Sequence, residues 1–488
     1  MKTSPVLPTL LESPLERRTA EPLQRQLCQR IKGAIVAGQL PAGLRLPATR
    51  ILARVLLVSR NTVTLAYEQL LAEGYVLADR QGTVVAPVRT RAPVRAGQEQ
   101  PAVPRLATRL SRLRSGPVTT ADCSVLRPGV PALTHFPQAQ WRLALAHAAR
   151  AATPGMLNYG DPLGQVDLRA AIASHLAITR GVHCTAAQVV VTEGAQEALN
   201  LCVRLITDPG DTAWIEEPGY RGGKSAFQAG DLHVIPKRLD AEGLRFDADD
   251  WRTEQPRLVY ATPSHQYPLG TVMSVTRRLA LMAAAQAHGA LIIEDDYDSE
   301  FRHGGEPIRA MQGLMADAPV LYVGTFSKTM FPSLRLGFLV LPQRLLPLLE
   351  QPLRELLRGG HSHEQLAMAR FMETGHFVRH LARMRRLYRE RQQALRTALS
   401  LHLGIPHSIE GGRGGLHLCV RFAAQYADVA VAAAARRHGM VPQALSTFAL
   451  APQAQDNGLV LGYGNTPAET MAPLVKTLAT ILKSLARD

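Results

Sequence analysis

The sequence predicts a multidomain chain: a small α+β module at the N-terminus, then a large α/β domain built on a mostly parallel sheet. Length and composition allow both, since 488 residues exceed one ordinary domain and a 46% hydrophobic, 19% charged chain can fill sizeable cores. Residues 20–88 show three helical patterns followed by two short strand patterns. From residue 123 onward, short apolar runs alternate with amphipathic stretches: QVVVT, TAWIE, HVIP, RLVYAT, ALIIEDD, VLYVGT and GFLVL. Runs of that length read as strands buried on both faces, joined by helical crossovers.

Several classes are excluded by what the composition lacks. No apolar run approaches the ~20 residues that cross a bilayer, and the first residues are too broken by prolines and acids for a signal core. The expectation is a cytoplasmic protein without a membrane partner. Cys28, Cys123, Cys184, Cys202 and Cys419 are odd in number, scattered and without a C-x-x-C pair, so neither a disulfide framework nor a zinc site is expected. The net charge of +15 is unevenly spread. Residues 1–88 hold eleven Lys/Arg against six Asp/Glu, and residues 89–122 seven Arg against Glu99 and Asp122. A basic N-terminal quarter suits phosphate binding, although Arg-rich coding would give the same excess. Residues 89–122, rich in Pro, Arg, Ala and Thr, read as an extended, solvated linker.

In the first module, Leu23, Leu27, Ile31 and Ile35 recur at helical spacing up to the stop at Gly38. A second short helix starts within Leu46–Arg50, and Ser59 is placed to cap a third over Arg60–Glu73. That third helix is expected to bury Val63, Ala66, Tyr67, Leu70 and Leu71. A hairpin follows, with Asp79-Arg80-Gln81-Gly82 at its tip. Ser59, Arg60, Asn61, Thr62 and Thr64 crowd the first turns of the third helix with groups that bond phosphates and base edges. Read from spacing alone, a helical module for a protein partner stays open, with Ser59 only a cap.

The segments LPAGLRLPATRILA, VSRNTVTLAYEQLLAEGY and QGTVV resemble the winged helix-turn-helix of the GntR family. The resemblance implies double-stranded DNA as partner, with contacts from Arg50, Ser59, Arg60, Asn61, Thr64 and Gly82 of the wing. Leu57 departs from it, standing in the turn where the family usually has Gly.

Four motifs carry the chemistry of the second half. In Gly324–Thr329 a lysine follows an apolar strand among hydroxyls, with Arg335 seven residues on, which suits an aldimine beside a bound phosphate. Ile292–Tyr297 ends a strand in acids, where a carboxylate can hold a pyridine nitrogen protonated; a plain acidic strand exit is the alternative. Thr192–Ala198 turns from a strand into a helix whose first amides suit a phosphate. EEPGY at 216–220 and TPSHQYPLG at 262–270 follow strands, where open α/β sheets bind ligands, and Tyr220 can stack on a ring.

Together these motifs, in this order and spacing, resemble fold-type I aminotransferases over residues 123–488. The resemblance implies a large subdomain near 155–345 and a small one near 346–488, with pyridoxal 5'-phosphate as cofactor. Lys328 is then the aldimine lysine, Asp295 the pyridine-nitrogen partner and Tyr297 the partner of the ring oxygen. Arg335, Ser327, Thr325, Ala195 and Gln196 hold the phosphate. Tyr159 reaches the phosphate of the neighbouring subunit in a head-to-tail, domain-swapped homodimer. The fusion of both modules through an Arg/Pro linker is similar to the MocR subfamily of GntR regulators. That implies a transcription regulator sensing the cofactor or an amino compound at Lys328, with at most slow half-transamination. A working aminotransferase with a DNA tether, and a scaffold with a dead pocket, stay open beside it. Two departures bear on the effector. Tyr267 stands where aminotransferases carry Asn, and Gly458–Gly464 holds no arginine for a substrate carboxylate, leaving Arg413 or Arg221 as substitutes.

Overall fold

The computed structural model describes residues 15–17, 19, 21–87, 105–113, 124–304 and 308–485. It divides into two compact units, Met1–Arg105 and Leu106–Asp488.

In the first unit the apolar spacing resolves into α1 (Leu23–Val36), α2 (Thr49–Val55) and α3 (Arg60–Ala72), followed by an antiparallel hairpin of β1 (Val76–Asp79) and β2 (Gly82–Val85). Leu27, Ile31 and Ile35 of α1 meet Leu52 of α2 and Val63, Ala66 and Leu70 of α3 in one core, closed by Val76 and Val85. Leu71, expected inside, is 44% exposed: it lies one position beyond Leu70 and so turns off the buried stripe. The Tyr67 hydroxyl donates to the Pro47 carbonyl at 2.9 Å, tying α3 to the chain entering α2. Arg45 forks onto both oxygens of Asp79 at 2.9 and 2.8 Å, which fixes the hairpin tip. Leu57, between α2 and α3, takes φ 54° and is 76% exposed. It therefore strains the turn and adds no packing.

The second unit follows the alternation of apolar runs and helices. After α4 (Gln138–Arg150) and α5 (Val166–Arg180), the strands are β3 (Val189–Thr192), β4 (Thr212–Glu217), β5 (His233–Asp240), β6 (Gly243–Leu244), β7 (Leu258–Ala261), β8 (Leu291–Asp296), β9 (Val320–Thr325) and β10 (Gly337–Val340). Between them run α6 (Ala195–Ile206), α7 (Arg221–Ala229), α8 (Ala248–Glu254) and α9 (Val275–Ala287). The sheet order is β3-β10-β9-β8-β7-β4-β5-β6. Its centre, β9-β8-β7-β4-β5, is parallel, and β10 runs antiparallel to both neighbours. Every residue of β3, β7, β8, β9 and β10 is buried, as two-sided cover requires. Gly337 of β10 lets the Gly194 turn close over it, since a Cβ there would stand 2.8 Å from the Gly194 Cα.

Beyond α10 (Leu346–Leu356), α11 (Ser362–Glu373) and the long α12 (His376–His402) comes a smaller antiparallel sheet ordered β11-β12-β14-β13. Its strands are β11 (His407–Glu410), β12 (His417–Phe422), β13 (Gln443–Ala444) and β14 (Gly458–Gly462), with α13 (Asp428–Arg436) against β13 and β14, and α14 (Met471–Leu485) packed on α12 and α13. The stretch expected to be an extended linker lies partly outside the described residues. Its described piece, 105–113, contains a 3₁₀ turn at Thr108–Arg112 that packs against α7, so this part is not extended. Leu110 and Leu113, three residues apart, give that turn an apolar side. Among the described residues no helix is long and apolar enough to cross a membrane.

The strained turn gives a prediction. Leu57→Gly removes the left-handed penalty and is expected to stabilise the first unit by about 0.5–1 kcal/mol. Hydrogen exchange across Thr49–Ala72 should slow; faster exchange would show that the exposed leucine contributes contacts.

Candidate functional site

Two constellations come together, one in each unit. In the first, Ser59 caps α3: its hydroxyl accepts from the Thr62 amide at 3.1 Å and lies 2.8 Å from the Thr62 hydroxyl. Thr64 is half-buried and donates to the Arg60 carbonyl at 3.1 Å. Ser59, Thr62 and Thr64 are thus partly engaged in shaping the helix start. Arg50, Arg60 and Asn61 are exposed beside it, and Gly82 is exposed at the hairpin with φ 135°.

In the second unit, the C-terminal ends of β4, β7, β8 and β9 meet the start of α6 around a cavity of about 440 Å³. Lys328, Asp295, Tyr297, Arg335, Ser327, Thr325, Ala195, Gln196 and Tyr220 all line it. The sheet register explains this convergence: Asp295 pairs with Val323 two residues before Thr325, and Thr325 and Thr192 both pair with Gly337.

Three consecutive acids end β8, and the pleat sends each to a different partner. Glu294 accepts from the Met311 and Gln312 amides at 2.9 and 3.1 Å. Asp296 is held by Arg180 at 2.6 Å and by the Tyr322 hydroxyl at 2.5 Å. Asp295 accepts from the Tyr260 hydroxyl at 2.7 Å through Oδ2, while its Oδ1 is buried with no partner. Burial pushes the Asp295 carboxyl up to about 7, against the lowering effect of Tyr260. An unpartnered carboxylate oxygen in a cavity is suited to a protonated ring nitrogen.

Lys328 donates from Nζ to the Gly129 carbonyl at 2.7 Å, and burial lowers its pKa, offset in part by Asp298 and Asp295. A lowered pKa makes the amine easier to deprotonate than an ordinary lysine, which favours its use as a nucleophile. Gly129, at φ 76°, passes so close that a Cβ would stand 3.1 Å from Nζ. Opposite, α6 starts at Gly194 with no side-chain cap, so its first amides remain free for an anion. Arg335 donates to the Glu193 carbonyl at 2.5 Å, which holds its guanidinium beside that turn. The Ser327 amide and hydroxyl both contact the Thr325 hydroxyl, at 3.2 and 3.1 Å.

The Tyr297 hydroxyl lies 3.0 Å from His265 Nδ1, which also contacts Asp298 at 3.0 Å. Tyr267, at the position of the expected Asn, packs edge-on against Tyr220 and Tyr297 and walls the cavity with its ring. The two loop motifs are clamps. Glu216 accepts from the Thr262 amide and hydroxyl, and Glu217 accepts from Leu450, Ala451 and Lys224. The Glu217 clamp carries Phe448 into the lining. Tyr260, Gly129, His417 and Phe448 were not foreseen; the tyrosine inside the apolar run RLVYAT was the one available signal.

Two residues fall outside this cavity. Tyr159 is 85% exposed and not in the lining. Arg413 lines a different cavity, whereas Arg221 lines this one. Neither β14 nor the following Tyr463-Gly464 brings an arginine to the site.

Residues 130–455 match the family described as aminotransferase class I and II, and residues 23–85 match bacterial regulatory proteins, gntR family. The chain is 37% identical over 480 residues to a probable rhizopine catabolism regulatory protein, MocR, of Rhizobium meliloti, covering 96% of each. It is 32% identical over 476 residues to the pyridoxine biosynthesis transcriptional regulator PdxR of Corynebacterium glutamicum, covering 95% of this chain and 97% of that one. Among solved structures, Thermus thermophilus LysN, an α-aminoadipate aminotransferase complexed with N-(5'-phosphopyridoxyl)-L-leucine, superposes with TM-score 0.68 at 26% identity over 74% of this chain and 92% of that one. Pyrococcus horikoshii kynurenine aminotransferase shares the fold at TM-score 0.70 and 23% identity, over 78% and 97%.

The raised Asp295 carboxyl sets a pH dependence. Without a cationic partner it is ionised in the unfolded chain above its ordinary 3.8 but neutral in the fold until about 7, so stability falls across that window and levels off above it. Cofactor-free Asp295→Asn is expected to exceed wild type by about 2–4 kcal/mol at pH 8 and to match it near pH 4 in urea unfolding. Equal stability at pH 8 would mean the carboxylate is not desolvated.

Proposed function

Because the chain belongs to the MocR-type regulators, in which a gntR-family module precedes an aminotransferase class I and II domain, we propose that it is a DNA-binding transcription regulator gated at Lys328 by pyridoxal 5'-phosphate or an amino compound. The observation that carries the cofactor reading is the buried, unpartnered Oδ1 of Asp295 facing the cavity of Lys328. When bound, the cofactor supplies an aldehyde carbon open to amines and an electron-accepting ring.

The chain's own residues would do the rest. Asp295 keeps a proton on the ring nitrogen and is itself held by Tyr260. Tyr297 presents its hydroxyl to the ring oxygen, and Tyr220 covers the ring face. The Ala195 and Gln196 amides, Thr325, Ser327 and Arg335 hold the phosphate dianion. Lys328, its pKa lowered by burial, supplies the amine. Tyr159, exposed and outside its own cavity, is placed in this reading to serve the neighbouring subunit's phosphate in a head-to-tail, domain-swapped homodimer. With no arginine on β14 for a carboxylate, cofactor supply is favoured as the signal over an amino acid. Besides Arg335 at the phosphate, the lining carries the Arg221 guanidinium, suited to the carboxylate of an amino-acid effector.

On the DNA side, Arg60 and Asn61 present base-reading groups from the start of α3. Arg50 and the Gly82 hairpin serve the backbone.

Protein given pyridoxal phosphate is expected to show a visible absorbance band that borohydride abolishes and that Lys328→Ala lacks. No band in wild type, or an unchanged band in the variant, contradicts the assignment. Arg60→Ala is expected to weaken binding to the gene's own upstream DNA about tenfold, by fluorescence anisotropy, with an unchanged spectrum. Full affinity in Arg60→Ala would remove α3 as the reading helix.

A further inference from the structure

A second cavity, of about 330 Å³, shares only Asp298 with the cofactor pocket. It lies between the end of α5, the loops after β7 and β8, and the turn at Arg413–Gly415. Four arginines line it: Arg180, Arg302, Arg385 and Arg413. Two are committed. Arg180 bonds Asp296 and Ser264, each at 2.6 Å, and Arg385 bonds the Glu300 carbonyl at 2.6 Å and its carboxylate at 3.1 Å.

Arg302 and Arg413 are different. Neither guanidinium has an acceptor among the described residues, and Arg302 Nε is buried without a partner. Their backbones are pinned side by side, by an antiparallel bridge between Arg302 and Gly414 and a bond from the His303 amide to the Arg413 carbonyl at 3.0 Å. The two charges are therefore held as neighbours. Burial lowers the Arg302 pKa, and the charges of Arg413 and Arg180 lower it further. Arg302 is half-buried and Arg413 exposed, so the unmet demand lies at the buried Arg302 Nε and in the two like charges, and an oxyanion between the guanidiniums meets both.

We propose that this cavity is an anion-binding site, separate from the cofactor's phosphate cradle, which takes a small oxyanion (a carboxylate or a phosphate) between Arg302 and Arg413. It does not depend on the cofactor reading, because neither arginine touches the pocket of Lys328. Asp298 forms the shared wall, and it also contacts His265, the partner of Tyr297. Occupancy of one cavity is thus one side chain away from the other.

The test is calorimetric titration of the full-length protein with inorganic phosphate and, separately, with succinate, at constant ionic strength in chloride. Wild type is compared with Arg302→Gln, Arg413→Gln and Arg335→Gln. At least one anion is expected to bind, with affinity lowered tenfold or more in Arg302→Gln and in Arg413→Gln and retained within about twofold in Arg335→Gln. A response to phosphate alone assigns a phosphoryl ligand, and one to succinate alone a carboxylate. In the same chloride buffer without phosphate or succinate, Arg413→Gln is expected to melt no lower than wild type, since a like charge has been removed; lost binding then does not reflect unfolding. Binding that survives in Arg302→Gln and Arg413→Gln but disappears in Arg335→Gln belongs to the cofactor cradle and overturns the proposal. So does the absence of heat with either anion up to ~10 mM, a millimolar affinity being the least that two charge-assisted contacts should give.

Discussion

Acids buried at the ends of parallel strands set the terms for the rest of the second unit. Glu216, Glu217, Glu294, Asp295, Asp296 and Asp298 are all nearly inaccessible to water, and each unpaired oxygen would cost several kcal/mol. The fold meets that demand by drawing in donors from distant segments: Thr262, the amides after Phe448, the Met311 turn, Arg180 and His265. Loops far apart in sequence are thereby locked around the strand ends. Asp295 Oδ1 stands out against this background, left without a donor in a cavity that also holds Lys328, its pKa lowered by burial, and the start of α6, which has no side-chain cap. A buried carboxylate oxygen without a donor, beside acids that have theirs, suits a cationic ring nitrogen.

That arrangement also explains how an enzyme-like domain can serve regulation. In the proposed reading the cofactor is held by Asp295, Lys328 and the cradle of Arg335 and the α6 start, and all of these line one cavity. Rapid transamination also needs a carboxylate-binding arginine on the substrate side, and β14 supplies none. A coupling of about 1–3 kcal/mol between occupancy and DNA affinity is enough for a switch.

Much of this was legible in the sequence because the central strands are buried on both faces. Continuous runs such as VLYVGT cannot hide their identity in a polar alternation, and their ends therefore located Asp295, Thr325 and Lys328. Gly194 and the following helix start were legible for the same reason. Features made by distant contacts were not. The Arg302–Arg413 neighbourhood exists through a bridge across more than a hundred residues. The role of Tyr260 depends on its register beside β8. Leu71 was misplaced because one step on a helix turns about 100°, past the edge of the buried stripe. The 3₁₀ turn at Thr108–Arg112 was hidden by the Pro- and Arg-rich composition around it, and its support comes from α7 rather than from its own spacing.

The central claim is that occupancy of the Lys328 pocket changes DNA affinity. The most direct measurement is the dissociation constant for the gene's own upstream DNA, at fixed salt, with and without pyridoxal phosphate, in wild type and Lys328→Ala. The account predicts a shift of about 5- to 150-fold in wild type, in either direction, and none in the variant. Identical affinity with and without the cofactor in wild type, in protein whose spectrum shows it bound, would contradict it.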